Sequence, residues 1–243
     1  MSGWSQVGAA RVEETSSVSG PALAWKGDHS VKHRALSVIY RAHRGTTIRR
    51  GASMARTQLY LVRHGEQNPE SDHVSNAGLS QLGREQADRL GRRLRTVPFS
   101  AIHHSPLARA AQTADIVAGH LPQVPRHACH FMADRTPVPS AGQRGRYPDR
   151  WLSWLDNVPD DERDEDAIAL RLAVEHFGVT GSEDRHELLI THNFVIGWFV
   201  RHMLDAPVWR WIGLNQANCA ITIVQWDSAR PPALVSFNDT GHL

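Results

Sequence analysis

The sequence is poor in cysteine, in lysine and in long apolar runs. Its 243 residues contain only two cysteines, Cys129 and Cys219, which are far apart and lack metal-ligand spacing. We therefore expect neither a disulfide framework nor a zinc site, and a reducing compartment, the cytoplasm, is the expected location. No stretch reaches the length of a membrane span, because the most apolar one, residues 194–204, is interrupted by Arg201 and His202. The N-terminus also lacks the pattern of a secretory signal.

The only two lysines in the sequence, Lys26 and Lys32, lie in the first part of the chain. After residue 53, arginine supplies all of the side chains that are permanently positive. Residues 1–53 contain eight basic residues (Lys or Arg) and three acidic residues (Asp or Glu), whereas residues 54–243 contain 19 basic and 22 acidic residues. The larger part is thus mildly acidic, and the net charge of the whole chain is only +2. This balance predicts neither a nucleic acid nor a membrane as partner.

Residues 1–53 differ in character from the rest. They are rich in Ser, Gly, Ala and Arg and show no sustained apolar periodicity. The basic stretch 29–53 resembles an organellar transit peptide in composition, but it is not terminal and follows two glutamates. Met54 stands where a compact domain would begin. We interpret residues 1–53 as a disordered or non-native extension and residues 54–243 as the folded domain.

From Met54 onward, strand and helix patterns alternate. The expected strands include 59–62, 99–104, 124–132, 187–192, 219–226 and 233–237. The expected helices start at Ser80 as N-cap, at Ser105–Pro106 (ending near Gly119), at the acidic run 160–166 (ending near Phe177) and at Phe194, while residues 135–165 look irregular. This alternation predicts an α/β fold with a mostly parallel sheet and helices on both faces.

The stretch from Leu59 to Glu66 reads Leu-Tyr-Leu-Val-Arg-His-Gly-Glu. A continuous apolar run is typical of a strand buried on both faces, and ligands of open α/β folds bind at the carboxyl ends of such strands. Arg63 offers a planar fork suited to phosphate, and His64 a nitrogen that acts as nucleophile or base near neutral pH. From these residues alone, a plain strand-to-loop junction with a surface histidine is an equally good interpretation.

Two further features favour a site. The strand 187–192 ends in His192, and Arg109 lies in the first turn of the helix that follows another strand. If these edges converge, two arginines and two histidines surround one pocket. Such a pocket fits phosphate, which a histidine attacks and whose charge the arginines stabilise.

Four motifs occur together in order. They are Arg63-His64-Gly65-Glu66, Leu79-Ser80-x-x-Gly83-x-x-Gln86-Ala87, Ser105-Pro106-Leu107-x-Arg109-Ala110-x-Gln112-Thr113-Ala114 and Thr191-His192. The set resembles the histidine phosphatase superfamily, the phosphoglycerate mutase-like group, over essentially all of residues 57–243. The resemblance implies a three-layer fold whose mostly parallel central sheet is flanked by helices.

The resemblance also implies the roles of the site residues. His64 would be the phosphorylated nucleophile, and Arg63, Arg109 and His192 would complete the phosphate pocket, with no metal and no cofactor. The family's acid is a glutamate shortly after the third strand, and Asp134 occupies that place here. Aspartate is one methylene shorter, about 1.5 Å of reach. Asp134 as general acid and Asp134 as a plain turn residue are therefore both open.

Other positions depart from the family pattern. The loop after Glu66 is short, so Asn68 is only an expected phosphate contact, and Asn193 stands where many members have glycine. Both are included among the expected substrate-binding residues. Residues 238–242 and the strand near Cys219 resemble a branch that contains a mitochondrial protein-serine/threonine phosphatase.

These features predict a metal-independent phosphatase that hydrolyses a phosphomonoester through phosphohistidine. The expected substrate is a phosphorylated small molecule or a phosphoprotein, and the oligomeric state is open. One alternative is a mutase of the same fold, although the interval between Asp134 and His192 is short for it. The other is a catalytically weak binding or scaffold member. The presence of all four site residues argues against it: Arg63, His64, Arg109 and His192.

Overall fold

The computed structural model describes residues 55–69 and 76–243. The interpretation of residues 1–53 lies outside these ranges and stays a prediction. Within the described ranges, none of the helices has the length and apolar character needed to cross a membrane.

Strands and helices alternate along the described chain, as the apolar patterns predict. The strands are β1 Arg56–Arg63, β2 Ala101–His104, β3 Arg126–Ala128, β4 Thr136–Val138, β5 Arg163–Glu165, β6 Arg185–Thr191, β7 Ile221–Asp227 and β8 Arg230–Asp239. The α-helices are α1 Gln81–Leu94, α2 Ala108–Gly119, α3 Asp149–Asp156, α4 Ile168–Phe177 and α5 Asn193–Met203.

The main sheet has six strands in the order β3-β2-β6-β1-β7-β8. The first four of these run parallel, and β7 and β8 add an antiparallel edge. Strands β4 and β5 form a separate two-stranded parallel sheet. The α/β architecture with a mostly parallel central sheet is therefore confirmed.

The apolar run in β1 is continuous because both faces of the strand are covered. Leu59 and Leu61 belong to the core packed under α4 and α5, whereas Val62 belongs to the core packed under α1 and α2. All three side chains are fully buried. Burial of each stabilises the fold by about 1.5–3 kcal/mol, which makes β1 a rigid support for the residues that follow it.

The helix starts were predicted with mixed success. Helix α1 begins as expected, since the Ser80 hydroxyl accepts a hydrogen bond from Gly83 N at 2.9 Å. Helix α2, however, begins at Ala108, and its N-cap Leu107 offers no side-chain cap. The prediction of Ser105 as the helix start was wrong: Ser105 lies two residues before the N-cap, and its hydroxyl accepts a hydrogen bond of 3.3 Å from Leu107 N.

The region predicted to be irregular is more ordered than its sequence indicates. It contains β4, α3 and β5, and the acidic run does not begin a helix, since β5 occupies its centre and α4 starts only at Ile168. Within that run, the buried Asp164 carboxylate accepts hydrogen bonds from Ala169 N and Leu170 N, both at 2.9 Å. One acid therefore stabilises the helix start, as acids at helix N-termini do, while its neighbours form a strand.

Candidate active site

The carboxyl ends of β1 and β6 meet at one edge of the central sheet. A backbone hydrogen bond of 3.0 Å joins His64 N to Thr191 O, and this bond brings His64 beside His192. The centroids of the two imidazole rings are 5.2 Å apart. The convergence expected from the two strand patterns is thus present, and Arg109 reaches the same place from the first turn of α2.

His64 is held as a neutral imidazole. Its Nδ1 lies 2.7 Å from Gly65 O, so Nδ1 carries the ring proton and Nε2 keeps its lone pair. Burial, followed by the charge of His192, lowers the pKa of His64 from 6.5 to about 3. At neutral pH the Nε2 atom is therefore available as a nucleophile.

The backbone of the turn after His64 lies very close to the backbone at the start of α1, and a glycine is needed on each side of this contact. A Cβ atom on Gly65 would lie 2.5 Å from Gly83 O, and one on Gly83 would lie 2.1 Å from Glu66 O. Both distances are far inside van der Waals contact, and both atoms are backbone atoms that have little room to move. The glycines let the start of α1 pack directly against the His64 loop.

Arg109 links the nucleophile to the carboxyl group of the site. Its Nε donates to His64 Nε2 at 3.2 Å, and its Nη2 donates to Asp134 Oδ2 at 2.7 Å. The Arg109 side chain is only 12% exposed. The guanidinium thus spans the position in front of the His64 nitrogen, where a phosphoryl group would react.

The Arg63 guanidinium has one nitrogen that is hydrogen-bonded and one buried nitrogen that is not. Its Nη1 donates to Gln216 O at 2.7 Å, while its buried Nε finds no hydrogen-bond partner among the described residues. Burial lowers the pKa of Arg63, the charge of Asp134 opposes that shift, and the charge of Arg109 adds to it. A buried donor without a partner is costly, and an anionic oxygen would satisfy it.

His192 is 1% exposed and lies between a hydroxyl and a carboxylate. Its Nε2 is 2.8 Å from Ser105 Oγ, and its Nδ1 is 3.2 Å from Asp134 Oδ2, without the alignment of a hydrogen bond. Burial, followed by the charges of Arg109 and Arg63, lowers the pKa of His192 well below its ordinary value. This second imidazole is therefore also neutral at neutral pH.

Asp134 lies between the short 3₁₀ helix His130–Met132 and β4. Its side chain is 21% exposed and contacts Arg109 and His192. The position expected for the acid is thus within reach of the cluster. Its role as general acid stays a prediction.

The two asparagines expected to bind substrate occupy different settings. The backbone N–H of Asn68 donates to Gly78 O at 3.0 Å. The Asn193 amide bonds through Nδ2 to Asn215 Oδ1 at 3.0 Å and through Oδ1 to Gln216 N at 2.8 Å. Asn193 therefore holds the loop whose carbonyl binds Arg63, and substrate contact by either asparagine stays a prediction.

Several supporting residues were missed in the sequence. Ser105 contacts His192, Thr113 accepts a hydrogen bond from Gly65 N at 3.0 Å, and Asn218 donates to His64 O at 2.8 Å. Glu162 was read only as part of an acidic run, yet its carboxyl group interacts electrostatically with Asp134. Ser105 and Thr113 belong to the third of the four ordered motifs, so the sequence did point to them. Nothing in the sequence distinguishes Asn218 or Glu162 as site residues.

A separate cavity of about 440 Å³ is not lined by His64, His192, Arg63, Arg109 or Asp134. It is lined by arginines and acids together, among them Arg146, Arg171, Asp166 and Glu175. His202 also lines this cavity, but the histidines that follow β1 and β6 do not. The groups that converge at the carboxyl edge of the central sheet are those of the His64 cluster.

The cluster has the parts needed for phosphoryl transfer. Two guanidinium groups supply positive charge, a neutral imidazole offers a lone pair, and a carboxyl group lies on the far side of Arg109. Phosphoryl transfer depends mainly on positioning and on stabilising charge at the phosphate oxygens. The arrangement therefore suits an anionic phosphate ester better than a neutral substrate.

Comparisons with known proteins agree with this geometry. A family model described as histidine phosphatase superfamily (branch 1) matches residues 59–240. Proteins from Caenorhabditis briggsae and Caenorhabditis elegans, both named mitochondrial serine/threonine-protein phosphatase Pgam5, are 30% and 32% identical over 197 residues. Each match covers 78% of this chain but only 65% of the relative. The chain thus spans about two thirds of the length of these relatives.

Solved structures share the fold at lower identity. A phosphoserine phosphatase variant from Entamoeba histolytica in complex with phosphoserine is 22% identical, with a TM-score of 0.57. That match covers 77% of this chain and 99% of the other. At this level of identity the likeness extends to the fold alone.

The relatives correct one expectation. They are named as mitochondrial proteins, which contradicts the cytoplasmic location predicted from the sequence. The prediction rested on the scarcity of cysteine, and a reducing environment is not unique to the cytoplasm. Cysteine content therefore separates secreted from reducing compartments but does not choose among the latter.

Proposed function

The chain belongs to the histidine phosphatase superfamily, and from this premise we propose that it hydrolyses phosphomonoesters through a phosphohistidine on His64. The observation that carries the proposal is the state of that imidazole. Its Nδ1 is bonded to Gly65 O, its pKa is lowered to about 3, and its Nε2 lies 3.2 Å from Arg109 Nε. A neutral nucleophile beside a guanidinium is what attack on a phosphate requires.

In the first step, the phosphoryl group of the substrate binds between Arg63, Arg109 and His192. The Nε2 lone pair of His64 forms a bond to phosphorus while the bond from phosphorus to the leaving oxygen breaks. Asp134, in its protonated form, gives its proton to that oxygen, and the alcohol leaves. The guanidinium groups stabilise the charge on the phosphoryl oxygens.

In the second step, the Asp134 carboxylate takes a proton from water as the water oxygen attacks phosphorus. The bond from phosphorus to His64 Nε2 breaks, and the imidazole returns to its neutral form. Inorganic phosphate leaves, and the overall reaction consumes one ester and one water. Every step uses side chains of this chain, so the proposal includes no metal and no cofactor.

The substrate class we propose is a phosphorylated hydroxyl group, including phosphoserine or phosphothreonine in a protein. The relatives named as serine/threonine-protein phosphatases support a phosphoprotein among the substrates to test. Hydrolysis is favoured over the mutase alternative by the short chain between Asp134 and His192 and by the relatives' names.

The test is turnover of p-nitrophenyl phosphate and of phosphoserine peptides in EDTA. We expect hydrolysis by the wild-type protein, with loss of about 10⁴-fold or more in His64→Ala, because removing a covalent nucleophile abolishes the chemical step. A radiolabelled phosphoryl group should be trapped on the wild-type protein as an acid-labile adduct. Wild-type turnover no higher than that of His64→Ala on every ester tested would refute the proposal.

A further inference from the structure

The separate cavity of about 440 Å³ is lined by residues of α4, of α5 and of the short 3₁₀ helix Ala141–Arg146. Part of its lining is apolar: Trp198 and Val174 are buried, and Val208 is half-buried. The lining residues on α5 come six to ten residues after His192, which places them about 9–15 Å from it along the helix. The cavity is therefore distinct from the phosphate cluster, and its volume is in the range of cavities that bind small molecules.

Three arginines line the cavity from three different elements. Arg146 lies in the 3₁₀ helix, Arg171 in α4 and Arg201 in α5. Within the part of the chain that the structure describes, no ion pair of 4 Å or less joins any of the three to a carboxylate. Only two carboxylates, Asp166 and Glu175, line the same cavity, so its charged groups have an excess of positive charge.

Two of these arginines act on each other. Burial lowers the pKa of Arg201, the charge of Asp205 opposes that shift, and the charge of Arg146 adds to it. Arg201 is held in place, because its Cζ lies 5.2 Å from the ring centroid of Trp198 and its Nε donates to Pro207 O at 3.3 Å. An anion bound by both arginines would offset their repulsion and accept the paired hydrogen bonds that guanidinium groups donate.

The acids of the cavity offer a second kind of contact. Asp166 Oδ1 accepts a hydrogen bond from Ser140 N at 3.0 Å, and this bonding lowers the pKa of Asp166, so the group is a carboxylate at neutral pH. A carboxylate has further lone pairs, and the exposed Glu175 has them as well. Hydroxyl groups of a ligand would donate to these oxygens. The lining thus suits a molecule that combines an apolar ring, an anionic group and hydroxyl groups.

We propose that this cavity is a second binding site, which takes a nucleoside monophosphate. The phosphate binds to the guanidinium groups of Arg146 and Arg201, and the flat base packs against Trp198 and Val208. The hydroxyl groups of the sugar donate to Asp166. None of the residues that line the cavity takes part in the proposed hydrolysis, so this site does not depend on it.

The test is calorimetric titration of the full chain with AMP. The titrated protein carries His64→Ala and Arg109→Gln, so that AMP is neither hydrolysed nor held by the phosphate cluster. We expect one AMP to bind per chain. Adenosine lacks the phosphate and ribose 5-phosphate lacks the ring, so each should bind at least about tenfold more weakly than AMP.

Further substitutions in the same protein locate the bound AMP. Arg146→Gln combined with Arg171→Gln should weaken AMP binding at least about tenfold, because two guanidinium groups are lost from the cavity. Both positions are exposed, so we expect the fold to be kept. The matched control is Arg230→Gln, the same change at an exposed position of β8 outside the cavity, which should leave AMP binding unchanged.

A second measurement does not depend on the arginine substitutions. In His64→Ala, the NMR signal of the Trp198 indole N–H, assigned with Trp198→Phe, should shift when AMP is added. The absence of AMP binding, an affinity that the two cavity substitutions do not change, or an unmoved Trp198 signal would overturn the proposed site. Ribose 5-phosphate binding as tightly as AMP would do the same, since the ring would then not be recognised. Because none of these measurements requires turnover, failure of the phosphatase proposal would leave the site intact.

Discussion

The site has two halves that lie on different parts of the fold. The cationic half (Arg63, His64, Arg109 and His192) lies at the carboxyl edge of the central sheet, whereas the carboxyl half (Asp134) lies beside the small β4–β5 sheet. His64 and His192 follow strands that are hydrogen-bonded to each other and buried on both faces. Asp134 lies two residues before β4, which has only three residues and pairs with β5 outside the central sheet. In the mechanism that we propose, phosphate is therefore bound and attacked from the central sheet, and the proton is supplied from a segment outside that sheet.

The cationic half should dominate the rate for every ester. In Arg109→Lys the hydrogen bonds to His64 and Asp134 and the bidentate fork are lost, so we expect kcat/KM to fall about 10²–10³-fold. The loss should be equal for phenyl phosphate and p-nitrophenyl phosphate, since charge at the phosphoryl oxygens does not depend on the leaving group. Arg89→Lys, at an exposed position of α1, is the control.

A loss at Arg109 that grows as the leaving group becomes poorer would contradict this division. It would mean that the arginine acts mainly by holding the acid, and the two halves would then work as one unit.

The carboxyl half should show the opposite dependence. We expect Asp134→Asn to lower kcat for phenyl phosphate by about 10²-fold, because the amide cannot transfer the proton, with a much smaller loss for p-nitrophenyl phosphate. Steady-state kinetics on both esters measure this, with the exposed Asp160→Asn as control. Wild-type rates in Asp134→Asn would exclude Asp134 as the acid.

The smallest effect is expected when Ser105, which contacts His192 in the cationic half, loses its hydroxyl group. Ser105→Ala removes the hydroxyl 2.8 Å from His192 Nε2 and leaves a buried ring nitrogen without that partner. One such bond is worth about 1–1.5 kcal/mol, which corresponds to roughly a tenfold loss in kcat/KM, equal for both esters. Ser153→Ala on the exposed side of α3 should leave the kinetics unchanged. An unchanged rate in Ser105→Ala would show that packing alone orients His192.

The cationic half was largely predictable from the sequence. Continuous apolar runs that end in a charged residue or a histidine identify buried parallel strands, and the carboxyl ends of parallel strands share one edge. The convergence of Arg63, His64, Arg109 and His192 follows from that rule together with the four ordered motifs. The cap at Ser80 was also predictable, because capping depends on a few neighbouring residues.

The carboxyl half was predictable only in part. Asp134 was found by its place after the third strand, but the run around Glu162 was expected to begin a helix. An acidic run suits a helix start on local grounds, and the pairing of β5 with β4 overrides that preference. Ser105 shows the same limit: a serine before proline is a plausible helix start, but its contact with the buried His192, 87 residues away, is seen only in the folded molecule.

The mostly parallel sheet, the edge that carries the two histidines and the family could be inferred from the sequence, because each depends on patterns within one strand, one helix or one motif. The pairing of Arg109 with Asp134, and the surroundings of that pair, became evident only in the fold. Those features depend on pairing between segments that are distant in the chain, and on burial that only the folded molecule creates. The protonation state of His64 is set by that burial and by neighbouring charge, so the residue type alone does not reveal it.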